Sequence, residues 1–284
     1  MSQTVNPTPT TPQERIKAAR ALEPGSRIAS PFEHAGELVA FALRAVKEMP
    51  VAIRLYPSEV FRQAGLLIRS NAVVVLFMLF MLGALLGITG TFLFETIGLD
   101  SYVSAINAVP MMRGVVEIVF GWILAAKYGC GIVAELGAMR ISEEIDAMEV
   151  MGIRSIPYLI GTRLAAALLV LPFLFITALG VHFIAAKLFF VDFLNTVSSG
   201  GFQYVLFLLQ SPRDFMVALL WGTVVGFLVT VVACFYGYNA KGGPVGVGRS
   251  TAQAMLVNLV LISVTAMIIA QIFYANVLAE AFGT

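Results

Sequence analysis

The chain has 284 residues, of which 59% are hydrophobic and only 12% are charged. Soluble domains contain about 25% charged residues, so this composition excludes an ordinary soluble protein and predicts a chain surrounded by lipid. The net charge of +1 and the absence of a basic block with interleaved aromatic residues give no indication of nucleic-acid binding.

The N-terminal segment is predicted to stay outside the membrane. Residues 2–12 are rich in Pro and Thr and too polar to fold alone, which predicts a disordered tail over residues 1–30. The first long apolar run starts only at about residue 70 and is not a short apolar region followed by a cleavage site. No signal peptide is therefore expected to be removed.

Residues 31–69 are predicted to form an amphipathic helix. Apolar residues recur there at helical spacing among basic ones, which are Arg44, Lys47, Arg54 and Arg62. The pattern is typical of a helix in the membrane interface, and a helix packed on the protein's own spans is an equal alternative. Pro50 and Pro57 are expected to divide the helix into two pieces.

Three apolar runs predict membrane-spanning helices without any charged residue. A hydrocarbon core about 30 Å thick needs roughly 20 apolar helical residues, and backbone in lipid must be hydrogen bonded within its own helix. The runs are Val73–Phe94, Phe215–Tyr238 and Ala254–Leu278.

Two further runs carry isolated polar residues but still predict spans. Arg113 and Glu117 interrupt the earlier run, and His182 and Lys187 interrupt the later one. The five predicted spans cover residues 71–94, 102–130, 156–190, 214–239 and 251–279.

The basic residues predict the orientation in the membrane. Of the 18 Lys and Arg residues, nine lie between Arg15 and Arg69, four between Lys127 and Arg163, and two at Lys241 and Arg249. By the positive-inside rule, the N-terminus and the loops after the second and fourth spans are cytoplasmic. Five spans then place the C-terminus outside.

Arg113 and Glu117 lie within the second predicted span. A charge at that depth is costly, so both side chains are expected to face each other, a partner or a wet cavity rather than lipid. A site near a transport path and a structural ion pair are equally consistent with the two residues.

Residues 134–152 follow the second span and are too charged to enter the bilayer. Ile141, Ile145 and Met148 share one helical face, and Arg140 can pair with Glu144 four residues on. The pattern predicts an amphipathic cytoplasmic helix. Such a helix either shields the cytoplasmic ends of the spans or transmits the motion of a partner protein.

Two motifs resemble those of the MlaE/YrbE permease family. One is the run AELGAMRISEEIDAMEVMGI at 134–153, with Pro157 and Arg163 beyond it. The other combines Tyr236-Gly237 with the glycine-rich run from Lys241 to Arg249. The resemblance covers roughly residues 35–280. It implies an all-α integral membrane fold, with an N-terminal interfacial helix, five transmembrane helices and a cytoplasmic coupling helix between spans 2 and 3, in a permease domain over residues 31–284.

The resemblance also implies partners. Members of this family form a dimeric permease core with two ABC ATPases and a hexamer of MCE proteins, which together move lipids across the envelope. ATP and Mg²⁺ would be bound by the ATPase, because this chain contains no Walker A motif. The residues that correspond to the family's ATPase contact are Glu135, Arg140, Glu143, Glu144, Asp146 and Glu149.

Two departures from the family pattern concern the second span and its end. Arg113-Gly-Val-Val-Glu117 stands where Arg-Glu-Leu-Gly-Pro is usual, and Lys127-Tyr-Gly-Cys-Gly131 stands where Gly-Arg followed by small residues is more common. Such drift resembles the actinobacterial branch, which implies a heterodimer of two unlike YrbE-type chains. The family's dimer-lined pocket would involve the fifth span and the first span around Leu85, Ile88 and Phe92.

Glycines between the last two predicted spans allow two interpretations. The run is rich enough in glycine for a phosphate-binding loop, with Gly242, Gly243, Gly246 and Gly248. However, it lacks the Walker A pattern and follows a membrane span rather than a strand. A tight turn between helices is the preferred interpretation.

The functional hypothesis is a permease subunit in the bacterial inner membrane that imports a phospholipid, a fatty or mycolic acid, or a sterol. An intramembrane lipid-modifying enzyme and a secondary transporter or channel are the alternatives. Neither a catalytic residue nor a metal ligand is predicted, since His182 is the only intramembrane histidine and no His-Glu-x-x-His or Gly-x-Ser-x-Gly motif occurs.

Overall fold

The computed structural model describes the backbone of residues 26–99 and 102–282, with side chains from 35 to 99 and from 102 to 274. Of the disordered tail predicted over residues 1–30, residues 1–25 lie outside the described residues, and residues 26–30 form the beginning of a helix instead. The chain divides into two units between Leu43 and Arg44, and the contacts given below all belong to the second unit.

The described backbone forms helices and contains no strand. The helices are α1 Ser26–Leu55, α2 Pro57–Thr96, α3 Asn107–Ile141, α4 Glu144–Val150, α5 Ile156–Phe193, α6 Ser199–Leu209, α7 Pro212–Tyr238 and α8 Gly243–Phe282. Among the described residues, five helices are long and apolar enough to cross a membrane: α2, α3, α5, α7 and α8. The predicted all-α membrane fold is confirmed.

The first two helices meet at Tyr56 rather than at Pro50. Pro50 lies inside α1, whereas Pro57 begins α2, where a missing backbone N–H costs nothing because the first turn leaves its donors unpaired. The segment predicted over 31–69 is thus divided into two helices as expected, with the division at Pro57 and not at Pro50. Its last part, from Pro57 onward, is continuous with the first span.

Close contact between α2 and α5 depends on glycines. A Cβ added at Gly87 would lie 2.5 Å from Cβ of Phe189, and one added at Gly83 would collide with the backbone carbonyl of His182. Small residues at this spacing let helix backbones approach in lipid. Gly83-x-x-x-Gly87 therefore marks a real helix–helix contact.

The centre of the bundle is an aromatic core. The rings of Phe120 and Phe175 meet edge to face with centroids 5.2 Å apart, a favourable arrangement for aromatic pairs. Trp221 is 1% exposed in the same cluster. Gly222 lies against Phe175 and Gly226 against Leu171, so the Gly222-x-x-x-Gly226 motif of α7 also serves packing.

The spans differ in how much of their surface the chain itself covers. In the most apolar stretch of each span, 28% of residues in the first and 17% in the fifth are buried, against 50%, 56% and 56% in the other three. The faces of α2 and α8 that stay uncovered must contact lipid or another protein.

The connection between the third and fourth spans is more structured than its sequence predicted. The sequence predicts only a short loop between these spans at 191–213, yet the segment contains the 11-residue helix α6. Ser198 caps this helix, accepting a hydrogen bond from the N–H of Gly201 at 3.1 Å.

Gly222→Ala is expected to destabilise the protein. The added methyl would lie 2.5 Å from Cδ2 of Phe175, and overpacking of this kind costs about 1–3 kcal/mol. Thermal unfolding of purified protein in one detergent measures the effect as a lower midpoint.

Gly180→Ala is the matched control for that substitution. Gly180 lies in α5, and no described atom within 4 Å would meet its Cβ. Its midpoint should stay unchanged or rise, because Ala favours a helix over Gly by about 1 kcal/mol. Equal effects of the two substitutions would contradict the packing argument.

Candidate functional site

The segment that follows the second span is a broken helix. The Oγ of Ser142 donates to the carbonyl of Ala138 at 2.9 Å and closes α3, and Glu143 then adopts a left-handed conformation with φ 61°. α4 begins only at Glu144. The helix predicted over 134–152 is therefore two helices, because its register is interrupted at Ser142 and Glu143.

The first turn of α4 is fixed by an apolar contact and an ionic contact. Ile145 is fully buried, and Nη1 of Arg140 lies 2.6 Å from Oδ1 of Asp146. The expected pair of Arg140 with Glu144 is not formed, since the break separates the two residues and removes their helical spacing. Asp146 takes its place from the first turn of α4.

The six candidate coupling residues fall into three groups. Glu143 and Glu144 are exposed and have no ion-pair partner among the described side chains. Arg140 and Asp146 hold α4 in place. The other two acids are exposed but have partners within the chain: Glu149 accepts a hydrogen bond from Ser155, and Glu135 forms an ion pair.

Glu135 joins the second span to the third. Its Oε1 lies 2.7 Å from Nη2 of Arg163, a side chain that is only 3% exposed. Nη1 of Arg163 also donates to the carbonyl of Leu159 at 2.7 Å. A buried guanidinium needs such partners, which gives Glu135 a structural task within the chain.

The glycine-rich run is a turn only in its first part. Gly242 and Gly243 have φ values of 88° and 67°, which few residues other than Gly adopt readily. Gly246 and Gly248 lie within α8. Between them, Val247 packs on Gly137 near the end of α3, so this turn brings the fifth span against the second.

A second polar cluster lies at the other end of the bundle, around Arg113. Nη2 of Arg113 lies 3.1 Å from Oδ2 of Asp214 and 3.3 Å from the carbonyl of Leu209. Its guanidinium also stacks 5.5 Å above the ring of Tyr274. Asp214 is positioned by a capping box with Ser211 at the start of α7.

Glu117 does not pair with Arg113. The backbone is non-helical at Arg113 and Gly114, so residues four apart across this kink do not share a face. Glu117 is fully buried; the backbone N–H groups of Gly114 and of Glu117 itself approach its carboxyl, but neither oxygen forms a regular hydrogen bond with any described residue. Arg113 nevertheless has a partner in the protein, as expected for a charge at that depth, and that partner is Asp214 rather than Glu117.

The residues predicted to face a transport pocket lie on an uncovered surface. Leu85, Ile88 and Phe92 are 59%, 49% and 74% exposed on α2. On the same helix, nearer its beginning, an apolar groove of about 530 Å³ is lined by residues such as Phe61, Ile68 and Phe173. In residues 35–99 and 102–274, no group of three or more His, Cys, Asp or Glu side chains could hold a metal ion.

Sequence reasoning missed three residues that organise these clusters. Asp214 could have been found, because Ser211-Pro-Arg-Asp214 is a capping-box pattern with Pro at the first helical position. Ser155 and Tyr238 carry no such signal. They meet only because the beginning of α5 and the end of α7 are neighbours in space.

Comparison with known proteins gives a consistent result. Residues 60–272 match the family described as Permease MlaE. A "Probable ABC transporter permease protein" of Rickettsia bellii is 27% identical over 256 residues, which is 88% of this chain and 96% of the relative. "Protein TRIGALACTOSYLDIACYLGLYCEROL 1, chloroplastic" of Arabidopsis thaliana is 29% identical over 181 residues, 64% of this chain and 51% of the relative.

Loss of the charge on Asp214 is expected to destabilise the bundle through Arg113. Asp214→Asn keeps an oxygen for capping but leaves the guanidinium without its counter-charge, and breaking a buried pair in this way costs about 3 kcal/mol. The double variant Arg113→Met/Asp214→Asn should recover part of the loss. Thermal unfolding of all variants in one detergent measures the coupling between the two positions.

Arg213→Met is the control for this pair. Arg213 is exposed and donates only to the carbonyl of Phe273 at 3.4 Å, so its removal should change the midpoint little. A double variant that is less stable than Asp214→Asn alone would contradict the ion-pair argument.

Proposed function

The chain belongs to the MlaE permease family, and from this we propose that it forms the transmembrane part of an ABC transporter that moves lipids across the bacterial cell envelope. It is a multi-pass membrane protein and a permease subunit without catalytic activity of its own. Hydrolysis of ATP, with its Mg²⁺, takes place on a separate ATPase dimer.

The observation that carries the proposal is the surface of α4. Glu143 and Glu144 project from a short helix whose other side is held by Ile145 and by the ion pair between Arg140 and Asp146. An exposed charged helix that is anchored to the rest of the protein can bind a partner protein and also transmit the movement of that partner. We therefore assign ATPase docking to Glu143 and Glu144 first, and a supporting role to the remaining four candidates.

The backbone of Glu143 supports this assignment. A left-handed conformation costs a residue with a side chain about 1–2 kcal/mol, and Gly would avoid that cost. A glutamate that adopts this conformation at a helix break is consistent with a side chain retained for contact. Such local strain is typical of functional sites.

The polar groups of the chain support a hydrophobic cargo. They concentrate around Arg113 and Asp214 at one end of the bundle and around α4 at the other, while the large groove on α2 is apolar. A hydrophobic ligand can be held by burial with few directed hydrogen bonds. The name of the Arabidopsis relative contains that of a galactolipid, which favours lipid as the class of cargo. Phospholipid, fatty or mycolic acid and sterol are the candidates, with import as the proposed direction.

The uncovered faces of α2 and α8 support a second permease chain. Exposed apolar side chains continue along both helices, among them Leu85, Ile88 and Phe92 on α2 and Val260 and Met267 on α8. We propose that a non-identical sister chain covers these faces and that the cargo pocket forms between the two. An MCE hexamer completes the transporter on the outer side.

The proposed orientation follows the basic residues. Lys and Arg concentrate before the first span and in the connections after the second and fourth spans, which places α4 on the cytoplasmic side of the inner membrane. The C-terminus is then outside the cell membrane. An ATPase in the cytoplasm would reach α4 directly.

Affinity purification of the tagged chain from its native membrane in a mild detergent tests the proposal as a whole. Mass spectrometry should find an ABC ATPase, MCE proteins and a second permease chain, together with an enriched lipid. A chain that purifies alone under conditions that preserve such complexes would contradict the proposal and favour an intramembrane enzyme or a secondary transporter.

Charge reversal on α4 is expected to release the ATPase. Glu143→Lys/Glu144→Lys places cations where acids contact the partner, and like-charge juxtaposition costs several kcal/mol, so affinity should fall by about 100-fold. Asp146 is left unchanged because it holds Arg140. Binding of purified ATPase to the permease in nanodiscs measures the effect.

Two variants control that experiment. Glu95→Lys reverses the charge of an exposed acid in the last turn of α2, far from α4. This variant should leave ATPase binding unchanged. Glu143→Gly relieves the left-handed backbone, so it should keep or raise the unfolding midpoint while weakening ATPase binding. Unchanged binding by a well-folded double variant would contradict the docking assignment.

A further inference from the structure

The cytoplasmic ends of three spans meet α4 around one side chain, that of Tyr238: Ser155 and Glu149 lie near its hydroxyl group, and Arg140 lies over its ring. Tyr238 is the last residue of α7, Ser155 directly precedes α5, Glu149 lies in the last turn of α4, and Arg140 lies in the last turn of α3. We call these four residues the hydroxyl clamp. Arg140, Glu149 and Ser155 lie before, within and after α4, whereas Tyr238 is far from all three in sequence.

Proton positions in the clamp follow from its geometry. The hydroxyl of Ser155 donates to Oε1 of Glu149, and Ser155 has only one hydroxyl proton. The hydroxyl of Tyr238, 2.9 Å from Oγ of Ser155, must therefore be the donor in that contact. Tyr238 donates to Ser155, and Ser155 donates to Glu149.

Ser155 is the buried member of this chain of hydrogen bonds, whereas Tyr238 is half-buried and Glu149 is exposed. Ser155 is 2% exposed, so its hydroxyl depends on these two partners, and an unsatisfied buried hydroxyl is costly. Tyr238 also lies 3.5 Å from Oε1 of Glu149. A movement of Glu149 therefore pulls on Ser155 and Tyr238 together.

Arg140 connects the same cluster to the opposite end of α4. Its guanidinium binds Asp146 at 2.6 Å and lies 5.8 Å from the centroid of the Tyr238 ring, within the range of a cation–π contact. α4 is thus held at its first turn through Arg140 and at its last turn through Glu149. Both connections converge on Tyr238.

We propose that Tyr238 is a positioning residue through which movement of α4 reaches the third and fourth spans. The inference rests on the proposed function, since it requires an ATPase that moves α4. On this proposal, Glu149 serves as a hydrogen-bond acceptor for the spans, whereas the family resemblance implied a contact with the ATPase. Without the clamp, α4 still binds the ATPase, but its movement is no longer passed on.

Tyr238→Phe tests the proposal in the full complex with its ATPase. The complex is reconstituted in vesicles of lipid extracted from the native membrane, and the lipid delivered to acceptor vesicles is measured per ATP hydrolysed. The variant should bind the ATPase with an affinity within about twofold of the native complex. The lipid moved per ATP should fall about fivefold or more, a typical size for coupling between two sites.

Tyr236→Phe is the matched control on the same helix. Tyr236 also loses a hydroxyl, but its ring contacts Phe235 and takes no part in the clamp. Its transport per ATP should equal that of the native complex. A purely structural weakening of α7 would affect both tyrosine variants.

Two variants of Glu149 separate the clamp from a charge contact and do not depend on the folding of Tyr238→Phe. Glu149→Gln keeps a carbonyl oxygen for Ser155, so both coupling and ATPase affinity should stay near native values. Glu149→Ala removes the acceptor and should uncouple transport while ATPase affinity is kept. Reduced ATPase affinity in Glu149→Gln would overturn the clamp and restore the charge contact.

The remaining outcomes distinguish this inference from the proposed function. Native coupling in Tyr238→Phe and Glu149→Ala, in a complex that transports lipid, would overturn the clamp alone. A native complex that binds no ATPase or moves no lipid would overturn the proposed function and the clamp with it.

Discussion

Hydrocarbon offers no hydrogen-bond partner, so a charged side chain or an interrupted helix in a membrane protein is costly unless the protein supplies the partner. This constraint explains why α3 can break at two places. At the kink of Arg113 and Gly114, the guanidinium of Arg113 binds Asp214 and the carbonyl of Leu209, which joins the second span to α6 and α7. At the break of Ser142 and Glu143, the freed polar groups bind each other or face water. Without these partners, neither interruption of the helix would be stable.

The middle of the bundle and the end near α4 have different roles. The middle of the bundle, around Phe120, Phe175 and Trp221, is closely packed and apolar, so it can carry movement between its ends with little internal loss. The end near α4 presents acids on a short helix whose anchors lead into three spans. An ABC permease needs this combination, since energy is supplied at one face and used along a hydrophobic path.

Much of the fold could be predicted from the sequence, since long apolar runs in lipid allow little except helices. The five spans and the MlaE family were predicted and are confirmed. Arg113 was expected to face Glu117, a partner or a wet cavity, and it has a partner, Asp214. Its pairing with Glu117 and that of Arg140 with Glu144, both possible from four-residue spacing, are not formed, because that spacing presumes an unbroken helix and the backbone breaks between the members of both pairs. Contacts such as Ser155 with Tyr238 depend on tertiary packing, which periodicity does not encode. The roles assigned to individual residues stay predictions.

The packing of α2 on α5 has a consequence for how the protein is made. The glycines of the first span contact His182 and Phe189 of the third, and these residues are synthesised roughly a hundred positions later. During insertion, the first span must therefore wait in the bilayer beside the translocation machinery while the second span enters. Its true neighbour arrives only with the third span. The face that carries these glycines is therefore without its packing partner until the third span has been synthesised.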